Sequence, residues 1–121
     1  MQSNDYGIIN RLFFVSLGAI PGALFRWHIS QDIISNLFAV FILGFFTGFD
    51  FRYRYKLIIA IGFCGSCSTF SSWMITLVEY IFSGDFTKAI YSLSSTLILG
   101  ILVLSISFYF GKKIKRSMLP Q

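Results

Sequence analysis

The chain has 121 residues, of which 55% are hydrophobic and only 12% are charged. Soluble domains carry about 25% charged residues, so this composition excludes a soluble enzyme, a disulfide-rich secreted domain and a disordered chain. The net charge of +5 does not indicate a nucleic-acid partner, because the basic residues flank apolar stretches, as they do at cytoplasmic membrane surfaces. We therefore expect a small membrane protein in contact with lipid.

Four apolar stretches, separated by short connections, predict four transmembrane helices. A spanning helix needs roughly 20 apolar residues, and the stretches cover about 8–29, 33–49, 57–78 and 89–111. Short connections place consecutive helices antiparallel. We expect residues 1–121 to form a single all-α transmembrane domain without a separate domain outside the membrane.

The first two stretches contain one charge well inside a span and two glycine pairs. Arg26 is the only ionisable residue well inside the first stretch, and such residues are candidates for function. Gly18 with Gly22, and Gly44 with Gly48, have the spacing that places two glycines on one helix face. Each pair allows close approach of another helix, either within the chain or in a second subunit.

The third stretch contains a segment that is unfavourable for a continuous helix. Residues 62–73 read Gly-Phe-Cys-Gly-Ser-Cys-Ser-Thr-Phe-Ser-Ser-Trp, with two glycines and five serine or threonine residues. A broken membrane helix is tolerated only where protein or water satisfies its backbone, and freed carbonyls can coordinate a cation. The alternative is a continuous helix with a packing face of small residues.

This segment resembles the third-helix signature of the Fluc (CrcB) fluoride channels, roughly Gly-x-x-Gly-Gly-x-Thr-Thr-Phe-Ser-Thr-Phe. Residues 22–27, Gly-Ala-Leu-Phe-Arg-Trp, resemble the family's first-helix Gly-Ala-x-x-Arg-Tyr. Asn36 lies where the family carries its pore asparagine, and Tyr91 and Ser95 fit the family's polar track in the fourth helix. The resemblance covers nearly the whole chain. It implies a passive channel, not an enzyme, that exports fluoride and lowers its cytoplasmic concentration across the inner membrane of a prokaryote.

The resemblance also implies an assembly and a set of site residues. The family forms an antiparallel, dual-topology dimer with two fluoride pathways and a central structural sodium ion that is not transported. The backbone carbonyls of Gly65 and Ser68 would bind this ion. The two pore phenylalanines correspond to Phe70 and, with a change, to Trp73. Arg26 matches a family arginine, which implies a vestibule or structural role.

The chemistry of the residues agrees with this assignment. Fluoride is small and strongly hydrated, so a pore must supply donors that replace its water. Asn36 offers two amide hydrogens, and the edges of the Phe70 and Trp73 rings are weakly positive. Further hydroxyl donors are Thr69, Ser71, Tyr91 and Ser95. Neutral donors suit conduction because the ion must also leave. The alternatives are helix–helix contact for Asn36, backbone hydrogen bonds for the hydroxyls and an interfacial position for Tyr91.

Eight of the ten lysine and arginine residues are predicted on one side of the membrane. Four spans place both termini and the middle connection there, and the basic residues are Arg11, Arg52, Arg54, Lys56, Lys112, Lys113, Lys115 and Arg116. Because this bias sets orientation, both termini are predicted to be cytoplasmic. An antiparallel dimer then needs an oppositely biased partner. This leads to the hypothesis of a heterodimer with a paralogous chain, and a homodimer stays open.

Two other functions are weighed against a conducting channel. A non-conducting subunit would support the pore of a sister chain, and the replacement of phenylalanine by Trp73 together with the charge bias favours that alternative. Ser66 replaces a glycine of the signature, which is expected to stiffen the break. A small multidrug exporter also has four short spans, but it needs a membrane-buried carboxylate. Glu79 lies only at the edge of the third stretch.

Overall fold

The computed structural model describes residues 2–29 and 31–118, and the regular structure in them is helical. Helix α1 covers Gln2–Ile29, α2 covers Asp32–Phe49 and α3 covers residues 53–67. Helix α4 covers Ser71–Phe82, and α5 covers Phe86–Met118. Four segments are long and apolar enough to cross a membrane: Gly7–Ile29, Asp32–Phe49, Tyr53–Phe82 and Phe86–Met118. The predicted all-α architecture with four apolar spans is confirmed.

The third span consists of two helices with a break between them. Helix α3 begins with a turn at Tyr53–Tyr55, continues as a π-helix at Lys56–Phe63 and ends with a turn at Cys64–Cys67. Ser68 is extended, with φ −77° and ψ 140°, and α4 begins at Ser71. The break is therefore present, and the alternative of a continuous helix is wrong.

The first glycine pair packs α1 against α3. A Cβ atom on Gly18 would collide with the backbone carbonyl of Ile58, and one on Gly22 would collide with the carbonyl of Phe63 and the hydroxyl of Ser66. Both glycines therefore serve close packing within the chain, which decides between the two alternatives for this pair.

The Gly18→Ala variant is expected to lower the free energy of unfolding by about 1–3 kcal/mol, because a rigid backbone carbonyl must move to admit the methyl group. Gly100→Ala is the matched control, since a Cβ atom at Gly100 meets nothing within 4 Å. Unfolding in mixed detergent micelles, followed by circular dichroism, measures both. Equal stability of the two variants would contradict the close packing of α1 on α3.

The second glycine pair packs α2 against α5 in the same way. A Cβ atom on Gly44 would meet the hydroxyl of Ser107, and one on Gly48 would meet the carbonyl of Phe108. The bundle is thus built from two close helix pairs, α1 with α3 and α2 with α5. Helix α4 packs on α5 through Trp73, which contacts the α5 residue Ala89 in one small apolar cluster.

One end of the bundle gathers basic side chains around Asp50. This residue ends α2 with a positive φ of 60°, and its carboxylate accepts hydrogen bonds from Lys56 at 2.6 Å and from Lys115 at 3.1 Å. The guanidinium of Arg11 lies 5.7 Å from the centroid of the Tyr53 ring. The start of α1, the α2–α3 connection and the end of α5 therefore lie together.

These contacts make a pH-dependent contribution to stability. The hydrogen bond from Lys56, followed by that from Lys115, lowers the pKa of Asp50 below 3.8. A carboxylate with a lowered pKa stabilises the fold above its unfolded pKa, and this contribution is lost as the pH falls through the folded value. Between about pH 5 and pH 2 the wild type is expected to lose slightly more thermal stability than Asp50→Asn. Equal losses in the two proteins would contradict this role of Asp50.

The helices bury little of one another within a single chain. In the most apolar 18-residue stretch of each span, buried residues make up 28% in the third span and only 6% in the fourth. The remaining apolar surface requires lipid or another protein chain to cover it.

Candidate functional site

Asn36 of α2 holds the backbone of the break. The Thr69 N–H donates to Asn36 Oδ1 at 2.6 Å, and Asn36 Nδ2 donates to the Thr69 carbonyl at 3.2 Å. One side chain thus satisfies both polar backbone groups of a residue outside the helices, as a membrane environment requires. Asn36 therefore stabilises the break, both as an acceptor and as a donor of hydrogen bonds to Thr69.

The same hydrogen bonds release a carbonyl of α3. In a continuous helix the Thr69 N–H would donate to the carbonyl of Gly65, four residues earlier. Here that N–H donates to Asn36 instead. Gly65 and Ser68 are exposed on the surface of the single chain, and a Cβ atom at Gly65 would meet nothing within 4 Å. A freed, accessible carbonyl oxygen is a suitable ligand for a hard cation such as sodium.

Two further residues of α2, Asp32 and Ser35, bind the break, and neither was predicted as a site residue. The hydroxyl of Ser35, which is fully buried, donates to the Cys67 carbonyl at 2.7 Å. The hydroxyl of Thr69 donates to Asp32 Oδ1 at 3.2 Å. Together with Asn36 these residues have the spacing i, i+3, i+4, which places them on one helix face. That polar spacing at the start of an apolar helix was the signal available in the sequence.

Ser66 connects the end of α3 to α1. Its hydroxyl lies 2.9 Å from the Ala19 carbonyl of α1 and 2.9 Å from the Gly62 carbonyl of its own helix. A glycine at this position would lack this hydrogen bond between helices. Ser66 therefore fixes the segment that precedes the break.

Two aromatic side chains follow the break and contact each other. Phe70 is 70% exposed on the single chain, whereas Trp73 is only 9% exposed. Their ring centroids lie 5.9 Å apart in an edge arrangement at 61°. The indole Nε1 of Trp73 is buried and, among the described residues, has no hydrogen-bond partner. The exposed ring of Phe70 is thus free to face a second subunit, lipid or an ion pathway.

Among the described residues, the candidates of the fourth span make no hydrogen bond to the break. Tyr91 is 74% exposed and lines a groove of about 400 Å³ with Ile33 of α2 and Tyr80 of α4. The hydroxyl of Ser95 donates to the Ser92 carbonyl of its own helix at 3.2 Å. Hydrogen bonds join Asn36 to Thr69 and a ring contact joins Phe70 to Trp73, whereas no such contact joins Tyr91 or Ser95 to them in the part of the chain that the structure describes.

The two remaining candidates, Ser71 and Arg26, are exposed on the surface of the single chain. Ser71 is exposed at the first position of α4. Arg26 is exposed in the last turn of α1, and it forms no ion pair within the part of the chain that the structure describes.

Comparison with known proteins matches a family model described as CrcB-like protein, Camphor Resistance (CrcB), over residues 13–108. The chain is 40% identical over 105 residues to the fluoride-specific ion channel FluC 1 of Prochlorococcus marinus (strain NATL2A), with 87% of this chain and 92% of the relative covered. It is 37% identical over 115 residues to the fluoride-specific ion channel FluC 2 of Synechococcus sp. (strain CC9605), with 91% and 87% covered. The family match at residues 13–108 reaches into all four spans and contains the break, and the chain belongs to the CrcB family.

Proposed function

We propose that this chain is a conducting subunit of a fluoride-selective membrane channel, which exports fluoride passively and lowers its cytoplasmic concentration. The observation that carries the proposal is the break in the third span, where Asn36 holds Thr69 beside the exposed ring of Phe70. Membership of the CrcB family, together with relatives named as fluoride-specific channels, supports this function over catalysis.

The break offers neutral groups that can replace the water around fluoride. An amide nitrogen has two hydrogens, and in Asn36 only one of them is used by the Thr69 carbonyl. The other hydrogen, the Phe70 ring edge and the Ser71 hydroxyl are proposed as fluoride contacts, with Trp73, Tyr91 and Ser95 along the rest of the path. Neutral contacts bind an anion weakly enough for it to leave. A negative-inside potential then drives export by about 2.3 kcal/mol per charge for every 100 mV.

We propose that a structural sodium ion lies where two copies of the break meet. The carbonyls of Gly65 and Ser68 would bind it, since Gly65 has lost its helical donor and both residues are exposed. When bound, the ion would compensate the negative ends of the carbonyl dipoles that converge from two chains. The role of this chain is to hold those carbonyls in place through the Asn36 and Ser35 hydrogen bonds.

The proposed assembly is an antiparallel dimer in the membrane. The poorly buried spans leave apolar surface for a partner, but the basic end around Asp50 favours one orientation with cytoplasmic termini. The proposed partner is therefore a paralog whose lysine and arginine residues lie mainly on the opposite side of the bundle. Some relatives bear the numbered names FluC 1 and FluC 2, as is expected where one organism has two such chains.

The experiment is fluoride-electrode efflux from liposomes that contain this chain alone, and then this chain with a co-expressed paralog, with chloride efflux as the control. Fast, fluoride-selective efflux in either preparation is the expected result. Folded protein without fluoride flux in both preparations would overturn the proposal. Labelling of a cysteine added at either end, in cells that express this chain alone, tests orientation, and finding both orientations would contradict the heterodimer.

The comparisons do not favour the two alternatives weighed on the sequence. A small multidrug exporter finds no support among relatives that are named as fluoride channels. A non-conducting partner subunit is distinguished from a conducting one by the fluoride efflux of the Phe70→Ile variant.

A further inference from the structure

A long groove runs between α2 and α5 on the outer surface of the chain. It has a volume of about 730 Å³, and the residues that line it include Gly44 and Thr47 of α2 and Ser105 and Phe108 of α5. Ser105 and Phe108 are exposed. None of the proposed fluoride contacts lines this groove.

Apart from Tyr109 and Lys112, the residues that line this groove offer no hydroxyl or amine hydrogen to an occupant. Thr47 donates to the Leu43 carbonyl at 2.6 Å, and Ser105 donates to the Ile101 carbonyl at 2.8 Å, both within their own helices. An ion or a polar solute would therefore find few donors here, whereas a hydrocarbon chain leaves no donor unsatisfied.

The groove ends in a cluster of cations. A smaller cavity of about 110 Å³ is lined by Tyr109, Lys112, Lys113 and Arg116, and Tyr109 and Lys112 line the large groove as well. These four residues have the spacing i, i+3, i+4, i+7, so they share one face of α5. The three basic side chains are exposed.

The cations of this cluster lack an internal counter-charge. Asp50 forms ion pairs with Lys56 and Lys115, and Asp85 forms one with Lys88. Across residues 7–29 and 31–118, no ion pair involves the three basic residues of the smaller cavity. Their charge is therefore available to an external anion.

We infer that this groove binds an anionic phospholipid. One acyl chain would lie along Gly44, Ser105 and Phe108, and the phosphate would lie against Lys112, Lys113 and Arg116. The cations directly follow the last apolar turn of α5, which is the depth at which headgroups meet a spanning helix. The inference rests on the groove and its charge, and it does not depend on fluoride conduction.

The role of the basic cluster in lipid binding is tested by native mass spectrometry of the full chain in detergent micelles that contain phosphatidylglycerol or phosphatidylcholine. Wild type is expected to retain one phosphatidylglycerol in preference to phosphatidylcholine. Loss of each cation should weaken binding about fivefold, so the triple variant Lys112→Gln, Lys113→Gln and Arg116→Gln should bind roughly a hundredfold more weakly. The matched control at the same end of the bundle is Arg11→Gln, Arg52→Gln and Arg54→Gln. No preference between lipids, or equal loss in both triple variants, would overturn the inference.

The groove is tested separately by Ser105→Trp, which fills it and keeps every charge. This variant is expected to lose the bound phosphatidylglycerol while it retains the wild-type oligomeric state in size-exclusion chromatography with light scattering. Retention of the lipid would show that only the headgroup is recognised, and it would overturn the placement of the acyl chain. A shift from dimer to monomer would identify the groove as a subunit interface instead.

Discussion

The Asn36→Asp variant is expected to fold and to lose fluoride efflux by roughly 10²–10³-fold. The carboxylate keeps an acceptor for the Thr69 N–H, but it removes the amide hydrogens and places a negative charge beside the proposed path. Two like charges about 4 Å apart repel by about 4 kcal/mol in a partly screened protein site, which corresponds to that loss of rate. Efflux from liposomes, measured with a fluoride electrode, gives the result.

Two comparison variants separate the donor role of Asn36 from its structural role. Asn10→Asp introduces the same change near the start of α1, far from the break, and it should conduct as the wild type does. Asn36→Ala removes both hydrogen bonds to Thr69 and should lower thermal stability as well as flux. Efflux at the wild-type rate from Asn36→Asp would exclude Asn36 from the pathway.

The Phe70→Ile variant is expected to reduce fluoride efflux about tenfold or more, because isoleucine has no positive ring edge to offer a passing anion. The ring is exposed on the single chain, so its replacement creates no cavity and should leave the fold intact. Phe82→Ile is the matched control, because Phe82 is 87% exposed at the end of α4. The measurement is efflux from liposomes, with each variant co-expressed with the partner if the chain needs one.

The result for Phe70 also distinguishes two kinds of subunit. A conducting subunit loses flux when this ring is removed, whereas a subunit that only supports a sister pore does not. Equal fluxes for Phe70→Ile and Phe82→Ile, in a preparation that conducts, would therefore assign this chain to the supporting role.

Composition and local preference predicted the four spans and favoured a break in the third, with a continuous helix left open. The apolar stretches exceed the length that a bilayer requires, and the Gly-Ser-Thr segment at residues 62–73 is a poor helix former. Helix α5 continues past the predicted limit at 111 to Met118, because lysine and arginine are good helix formers and are favourable at a helix C-terminus.

The contacts that fix the break were not available from local patterns. Asp32 and Ser35 read as ordinary polar residues near a helix start, and their roles depend on a segment more than 30 positions away. The glycine pairs predicted close helix packing, but not which helix would approach. Tyr91 and Ser95 share a face of α5, but no local pattern indicates how they lie relative to Phe70.

The hydrogen bonds between Asn36 and Thr69 have a consequence for the order in which the molecule is assembled. The break is stabilised by a side chain from another span, so it is a product of tertiary contacts and not of its own sequence alone. A newly inserted third span keeps the Thr69 N–H within its own helix until α2 comes alongside. We therefore expect the helix to open, and the Gly65 carbonyl to lose its helical donor, only after α2 has docked.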